Sequence, residues 1–166
     1  MARKPVVGVM GGGRSNPAVD AEARQLGALI AERGWILLNG GGNAGVMAAA
    51  ARGAKERGGT VIGILRGKTT SGASPDLDIA ILTGMGDARN VINVLTSDVV
   101  IACPGRAGTM SEVALALNNG KRVILLGWDA GDGLARFQRN GWLTRANSAI
   151  EAVEQAAAVI ADLHDG

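Results

Sequence analysis

The residues best suited to chemistry gather in the stretch Cys103-Pro104-Gly105-Arg106-Ala107-Gly108-Thr109-Met110-Ser111-Glu112. It follows Asp98 and the apolar run Val99 to Ala102, and the whole reads as a buried strand, a glycine-rich turn and a helix. A helix opening just past glycines offers unpaired backbone N–H groups and the positive end of its dipole, which together suit a phosphate. Glu112 puts a carboxylate close to that anion site, and two readings of it stand open. Thr109-Met110-Ser111-Glu112 matches a T-x-x-E capping box, in which the carboxylate closes the helix start. Alternatively, Glu112 is kept for a ligand. Arg89, in Gly84-Met85-Gly86-Asp87-Ala88-Arg89-Asn90, poses the same question. It falls in the first turn of an expected helix, where a cation opposes the dipole. It is either a surface residue, one paired with Asp87, or a partner for an anionic ligand.

Two further glycine-rich turns follow expected strands: Gly11-Gly12-Gly13, running on into Arg14 and Ser15, and Gly40-Gly41-Gly42-Asn43-Ala44-Gly45. In a parallel α/β sheet such turns collect at the carboxyl edge, where ligands bind near the switch in strand order. Three of them together predict a shared anion or nucleotide site. The second matches G-x-G-x-x-G, but the acidic residue that a dinucleotide fingerprint wants about 20 residues on is replaced by Arg66. The motif also follows the second strand rather than the first, so a dinucleotide cofactor is not expected.

The elements that must position these residues alternate almost from end to end. Strands are expected over Val6–Met10, Trp35–Asn39, Thr60–Leu65, Ile79–Leu82, Asp98–Cys103 and Arg122–Leu126. Helices are expected over Pro17–Arg33, from Met47 to Arg57, over Asp87–Thr96 with Asp87 as N-cap, and over Met110–Asn119. Ser148 and Glu151 form a capping box for a last helix, with Ile150, Val153, Ala157, Ile160 and Leu163 on one face. Gly127–Asn147 has no clear pattern. The polar stretch Arg66–Asp78 reads as a lid or a solvated connector. This alternation predicts a doubly wound α/β domain, a mainly parallel sheet of about six or seven strands with helices on both faces. With no linker or repeat, residues 1–166 form one domain.

Composition narrows the function. Seventeen basic against 15 acidic residues leave a net charge of only +2, and no Lys/Arg run suggests a nucleic-acid footprint. With three Trp, one Phe and no Tyr, stacking platforms for single strands are missing. No apolar stretch is long enough for a membrane span or signal peptide, and the one cysteine, Cys103, excludes an internal disulfide; a cytoplasmic location is expected. Cys103 ends an apolar strand and reads as a small buried hydrophobe rather than a metal ligand. One cysteine and one histidine, His164 near the C-terminus and expected to be solvated, exclude a structural zinc site and a Ser–His–Asp triad. No metal site and no pyridoxal phosphate are expected, since no lysine carries a Schiff-base signature.

From Val6 to about Leu126 the chain resembles the superfamily of LONELY GUY proteins and molybdenum cofactor carrier proteins, Rossmann-like folds often labelled possible lysine decarboxylases. The LONELY GUY signature, PGGxGTxxE with an upstream Arg-Lys pair, has its counterpart in Pro104-Gly105-Arg106-Ala107-Gly108-Thr109-Met110-Ser111-Glu112 with Arg89-Asn90 upstream. Gly40-Gly41-Gly42 with Gly45 and Met47 is similar to the second glycine motif of that superfamily. In its hydrolytic branch the resemblance implies a cytokinin riboside 5′-monophosphate phosphoribohydrolase, releasing free base from a nucleoside monophosphate, with Arg89 and Glu112 as catalytic pair. A carboxylate can stabilise the oxocarbenium-like centre of such a reaction.

Two departures point toward the carrier branch. Arg106 replaces the second glycine of PGG and Asn90 replaces the lysine. An added arginine suits a highly charged ligand better than a neutral leaving base. The expectation is therefore a carrier of molybdenum cofactor, a molybdopterin-type phosphate-bearing small molecule, with AMP or another nucleoside monophosphate as the other ligand class and a nucleotide sensor as a third reading. Gly11, Gly12, Gly13, Arg14, Ser15, Gly40, Gly41 and Gly42 would bind it together with Pro104, Gly105, Ala107, Gly108 and Thr109. Arg89, Asn90, Arg106 and Glu112 would add side-chain contacts. No nucleic-acid or membrane partner is expected. The resemblance implies a homo-oligomer, dimer-based with a tetramer as one form, with Val91, Ile92 and Leu95 or Val113 and Leu117 as candidate interface faces.

Overall fold

In the computed structural model the described residues run from 3 to 165, with side chains described as far as 163; the His164 side chain lies outside them. Seven strands form one sheet: β1 (Val6–Met10), β2 (Ile36–Asn39), β3 (Thr60–Leu65), β4 (Ile79–Leu82), β5 (Val99–Ala102), β6 (Arg122–Leu126) and β7 (Leu143–Ala146). Their order is β4-β3-β2-β1-β5-β6-β7, and every pairing is parallel. The chain winds outward from β1 to β4, then returns to place β5 on the other side of β1. The switch in strand order therefore lies between β1 and β5, where α/β folds bind their ligands.

Helices cover both faces: α1 (Pro17–Glu32), α2 (Gly45–Glu56) and α6 (Ala149–Asp165) on one, α3 (Asn90–Thr96) and α4 (Ala107–Asn118) on the other, with the short α5 (Ala135–Arg139) preceding β7. The alternation of side chains along a strand divides the core accordingly. Val7 and Val9 join Leu26, Ile30, Ala50 and Val153 in one layer; Val6 and Met10 join Val94, Val113 and Leu117 in the other. Buried on both faces, β1 is apolar throughout, the signature of a central parallel strand. The α1–α2 crossing is close because of two glycines. A methyl on Gly27 would stand 2.0 Å from the Ala50 carbonyl oxygen, and one on Gly53 would stand 1.9 Å from that of Arg24.

Several expectations are corrected. The unpatterned region 127–147 holds β7 and α5; only Leu143 and Ala146 of β7 are buried, so the strand has almost no apolar run to announce it. Helix α4 starts at Ala107 rather than Met110, and the expected helix over 87–96 divides into a 3₁₀ turn, Gly86–Arg89, and α3. Asp87 does not cap that segment but pairs with Arg66 at 3.0 Å. The Ser148 box is shifted by one residue. Ser148 Oγ accepts from the Glu151 N–H, as expected, but Glu151 Oε2 accepts from Asn147 N–H at 2.8 Å. Ile150 and Leu163 are exposed, and the buried face of α6 is Ala149, Ala152, Val153, Ala156 and Ile160. Val113 and Leu117 pack in the core and offer no interface, whereas Val91 and Leu95 are exposed. Among the described residues no helix is long and apolar enough to cross a membrane.

Candidate functional site

The three glycine-rich turns meet at the carboxyl edge of β2, β1 and β5, and backbone hydrogen bonds tie them together. Gly12 N–H donates to the Pro104 carbonyl, and the Gly12 carbonyl accepts from Val46 N–H, each at 3.1 Å. The turn after β1 is thus held between the other two. Gly45 has a φ of +56°, and a methyl on it would lie 2.2 Å from the Gly12 carbonyl oxygen, so glycine is needed there for conformation and for space alike. Asn39, fully buried at the end of β2, shapes the second turn: its Oδ1 accepts from Gly41 N–H at 2.8 Å and its Nδ2 donates to the Met47 carbonyl at 3.1 Å. The loop from Arg66 to Asp78 is fastened to the same turn, because Ser74 N–H donates to the Gly41 carbonyl and Ala73 bridges Gly42. Residues 66–72 of the loop are solvent-exposed, as the connector reading expects, and the tether at Ala73 and Ser74 keeps that end from acting as a lid.

These turns frame a cavity of about 440 Å³. Gly11, Gly12, Gly13 and Arg14 line it from the turn after β1, Gly40 from that after β2, and Arg89 and Asn90 from the start of α3. Arg106, Gly108, Thr109 and Glu112 line it from the N-terminal half of α4. The remaining expected residues do not line it. The Ser15 hydroxyl turns away to Asp20, and Gly105 backs Thr109, whose Oγ1 would stand 2.0 Å from a methyl on that glycine. Gly41, Gly42, Pro104 and Ala107 also lie outside the lining. Five lining residues were not among the expected contacts: Val9, Met10, Met47, Arg66 and Asp87. Met47 was visible in the second glycine motif. Arg66 was visible as the residue replacing the dinucleotide acid.

Four arginines, Arg14, Arg66, Arg89 and Arg106, face two carboxyl groups, Asp87 and Glu112, across this space. Arg66 and Asp87 satisfy each other at the rim. Arg89 is different: it is only 8% exposed, its Nε is buried without a partner, and among the described residues no ion pair joins it to Glu112 or Asp87. Burial lowers its proton affinity most, Glu112 raises it and Arg66 lowers it again, leaving it below the ordinary arginine value yet cationic. A buried cation with an unused donor is costly unless something anionic meets it. Neither of the bland alternatives for Arg89, a surface position or a pair with Asp87, holds.

The capping reading of Glu112 fails on position. With Arg106 at the N-cap, Glu112 lies in the second turn of α4, beyond reach of the helix start. Instead it is buried, and its Oε1 accepts from Asn93 Nδ2 of α3 at 2.8 Å. Burial raises the Glu112 carboxyl above the ordinary range, while Asn93 and Arg89 draw it partly back. The first turn of α4 carries no side-chain cap, so its N–H groups are open to an anion. Cys103 stands apart from this cavity. It is 1% exposed, and burial, aided by Glu22, pushes its thiol up to about 12.

The family model described as the SLOG cluster4 family matches residues 4–160. The chain is similar to the molybdenum cofactor binding protein from the phototrophic bacterium Rippkaea orientalis, at 49% identity and a TM-score of 0.87 over 96% of this chain and 99% of that one. It is similar to the molybdenum cofactor carrier protein of Chlamydomonas reinhardtii, at 42% identity and a TM-score of 0.88 with the same coverage. It is also similar to a cytokinin riboside 5′-monophosphate phosphoribohydrolase of Mycobacterium tuberculosis, 33% identical over 146 residues, 82% of this chain and 78% of that protein.

Proposed function

The chain belongs to the SLOG cluster4 family, and on that premise we propose that it is a carrier that binds molybdenum cofactor in the cavity at the β1–β5 switch. The observation that carries this reading is Arg89, a buried guanidinium with an unpartnered Nε in a cavity lined by three further arginines. An anion of high charge, such as the phosphate-bearing molybdopterin, answers that arrangement better than a neutral base does. Its phosphate sits at the first turn of α4, against Gly108 and Thr109, with Arg89 and Arg106 as charge partners and Gly11, Gly12 and Gly13 as the opposite wall. Asn90, Arg14 and Gly40 complete the pocket. The similarity to the Rippkaea and Chlamydomonas proteins over nearly their whole length supports the same ligand here. The carrier is cytoplasmic and homo-oligomeric on this reading, the exposed Val91 and Leu95 supplying the contact face.

One observation favours a second reading. Arg89 and Glu112 line the same cavity without pairing to each other, as a catalytic pair of a phosphoribohydrolase would, and the mycobacterial relative carries that name. One experiment separates the two. The pure protein is incubated with AMP and with isopentenyladenosine monophosphate, and free base is sought by chromatography; none is expected. Base release that disappears in Glu112→Ala would overturn the carrier reading.

A further inference from the structure

We propose that Glu112 recognises the amidine edge of a pterin ring, its adjacent 2-amino and N3–H donors, and that Asn93 is the positioning residue that aims the carboxylate, an assignment that rests on the carrier reading of the cavity. Asn93 is wholly buried in α3. Its Nδ2 donates to Glu112 Oε1 at 2.8 Å, while its own Oδ1 is buried without a partner. An apolar side chain would fill that space without leaving an acceptor unpaired. What the asparagine adds is the fixed plane of the Glu112 carboxylate.

An ionised carboxylate only accepts, through two oxygens in one plane. Asn93 occupies one lone pair of Oε1, and among the described residues no protein group donates to Oε2. Glu112 therefore offers the cavity it lines two acceptors side by side. Their complement is a planar pair of adjacent N–H donors. A 2-amino-4-oxopyrimidine ring has such an edge. Adenine does not, because its hydrogen-bonding edges set a donor beside an acceptor. A phosphate cannot sit on Glu112, for reasons of charge, but it can sit on Arg89 and the first turn of α4. The cavity thus has a place for each part of one ligand: an anionic tail on Arg89 and the first turn of α4, and an amidine head on Glu112, one turn further along the same helix. Burial disfavours the charged carboxyl, and two N–H donors from a ligand would restore the ionised form.

The test uses two probes that differ in the group at C2, amino in 6-hydroxymethylpterin monophosphate and oxo in its counterpart, the corresponding lumazine. Affinities are measured by fluorescence titration of the intact protein. The wild type is expected to prefer the pterin by at least about tenfold, because the lumazine sets a carbonyl against a carboxylate oxygen. In Glu112→Gln the amide offers one donor and one acceptor, which match the lumazine C2 carbonyl and N3–H. The preference is then expected to vanish or reverse. Asn93→Leu is expected to weaken pterin binding while leaving lumazine binding unchanged, which a general loss of structure would not do. Equal affinity of the wild type for both rings, or equal weakening of both by Glu112→Gln, would overturn the assignment and leave the carrier reading intact. Binding of AMP but of neither pteridine phosphate would overturn both.

Discussion

The guanidinium of Arg89 lies directly against the Cα of Gly40: a methyl at position 40 would stand 2.2 Å from Nη1 and 2.8 Å from Nη2. The second glycine-rich turn thus leaves the space in which the buried cation sits. Since the blocked atoms are the far end of a flexible side chain, Gly40→Ala displaces the arginine rather than the backbone. We expect this variant to keep its folding stability within about 1 kcal/mol of the wild type. Its affinity for a phosphate-bearing ligand is expected to fall at least about tenfold, the loss of a charge-assisted hydrogen bond. Denaturant unfolding and ligand titration on the same preparation check the two halves; unchanged affinity would contradict the role given to Arg89.

The glycines of the α1–α2 crossing should behave in the opposite way. Alanine is a better helix former than glycine by about 1 kcal/mol, which alone would stabilise Gly27→Ala and Gly53→Ala. The added methyls, however, would lie 2.0 and 1.9 Å from backbone oxygens of the facing helix. The helices must separate, and overpacking of this kind costs about 1–3 kcal/mol or more. Both variants are expected to unfold at lower denaturant concentration than the wild type; a gain in stability would show that the crossing yields freely.

Glu112 gives a pH dependence of definite sign. Its folded-state carboxyl is raised above the ordinary value of 4.5, chiefly by burial. The native state then holds a proton that the unfolded chain has lost, so this group's contribution to stability falls as pH rises from the unfolded to the folded value. Glu112→Gln removes that dependence. Its unfolding free energy relative to the wild type should therefore increase from pH 4 upward and level off once the wild-type carboxyl is ionised. A difference that does not change with pH would contradict the burial of this charge.

The thiol of Cys103, pushed up to about 12 mainly by burial, has almost no thiolate at neutral pH. The native protein is expected to leave Ellman's reagent unreacted at pH 8 over minutes, and to release one equivalent of thiol on unfolding in guanidinium. Rapid native reaction would show that Cys103 is accessible.

Much of the site was readable because its signals are local. Each glycine turn stands directly after an apolar strand, and a parallel sheet brings all such turns to one edge. What was hidden depended on contacts between residues far apart in the chain. The Thr109-Met110-Ser111-Glu112 spacing fits a capping box, and only the earlier start of α4, at Ala107, carries Glu112 out of reach of the cap and onto Asn93. Arg66 and Asp87 appear unrelated in sequence, yet both line the cavity and pair at its rim. Strand β7 was missed because the sheet edge buries only two of its four residues. Val113 and Leu117 have the spacing of an apolar stripe, but no sequence pattern tells whether such a stripe meets the sheet or a neighbour. Here it meets the sheet.

The central claim, that the cavity is a cofactor carrier site built around Arg89, is tested most directly by retention of the ligand. Purified protein is mixed with molybdenum cofactor released from a molybdoenzyme, passed through gel filtration without oxygen, and assayed for co-eluting molybdenum and pterin. The wild type is expected to retain both in equal amounts, up to one per chain, and Arg89→Ala and Gly40→Ala to retain at most about a tenth as much. Retention by these variants equal to that of the wild type, or no retention by the wild type itself, would contradict it.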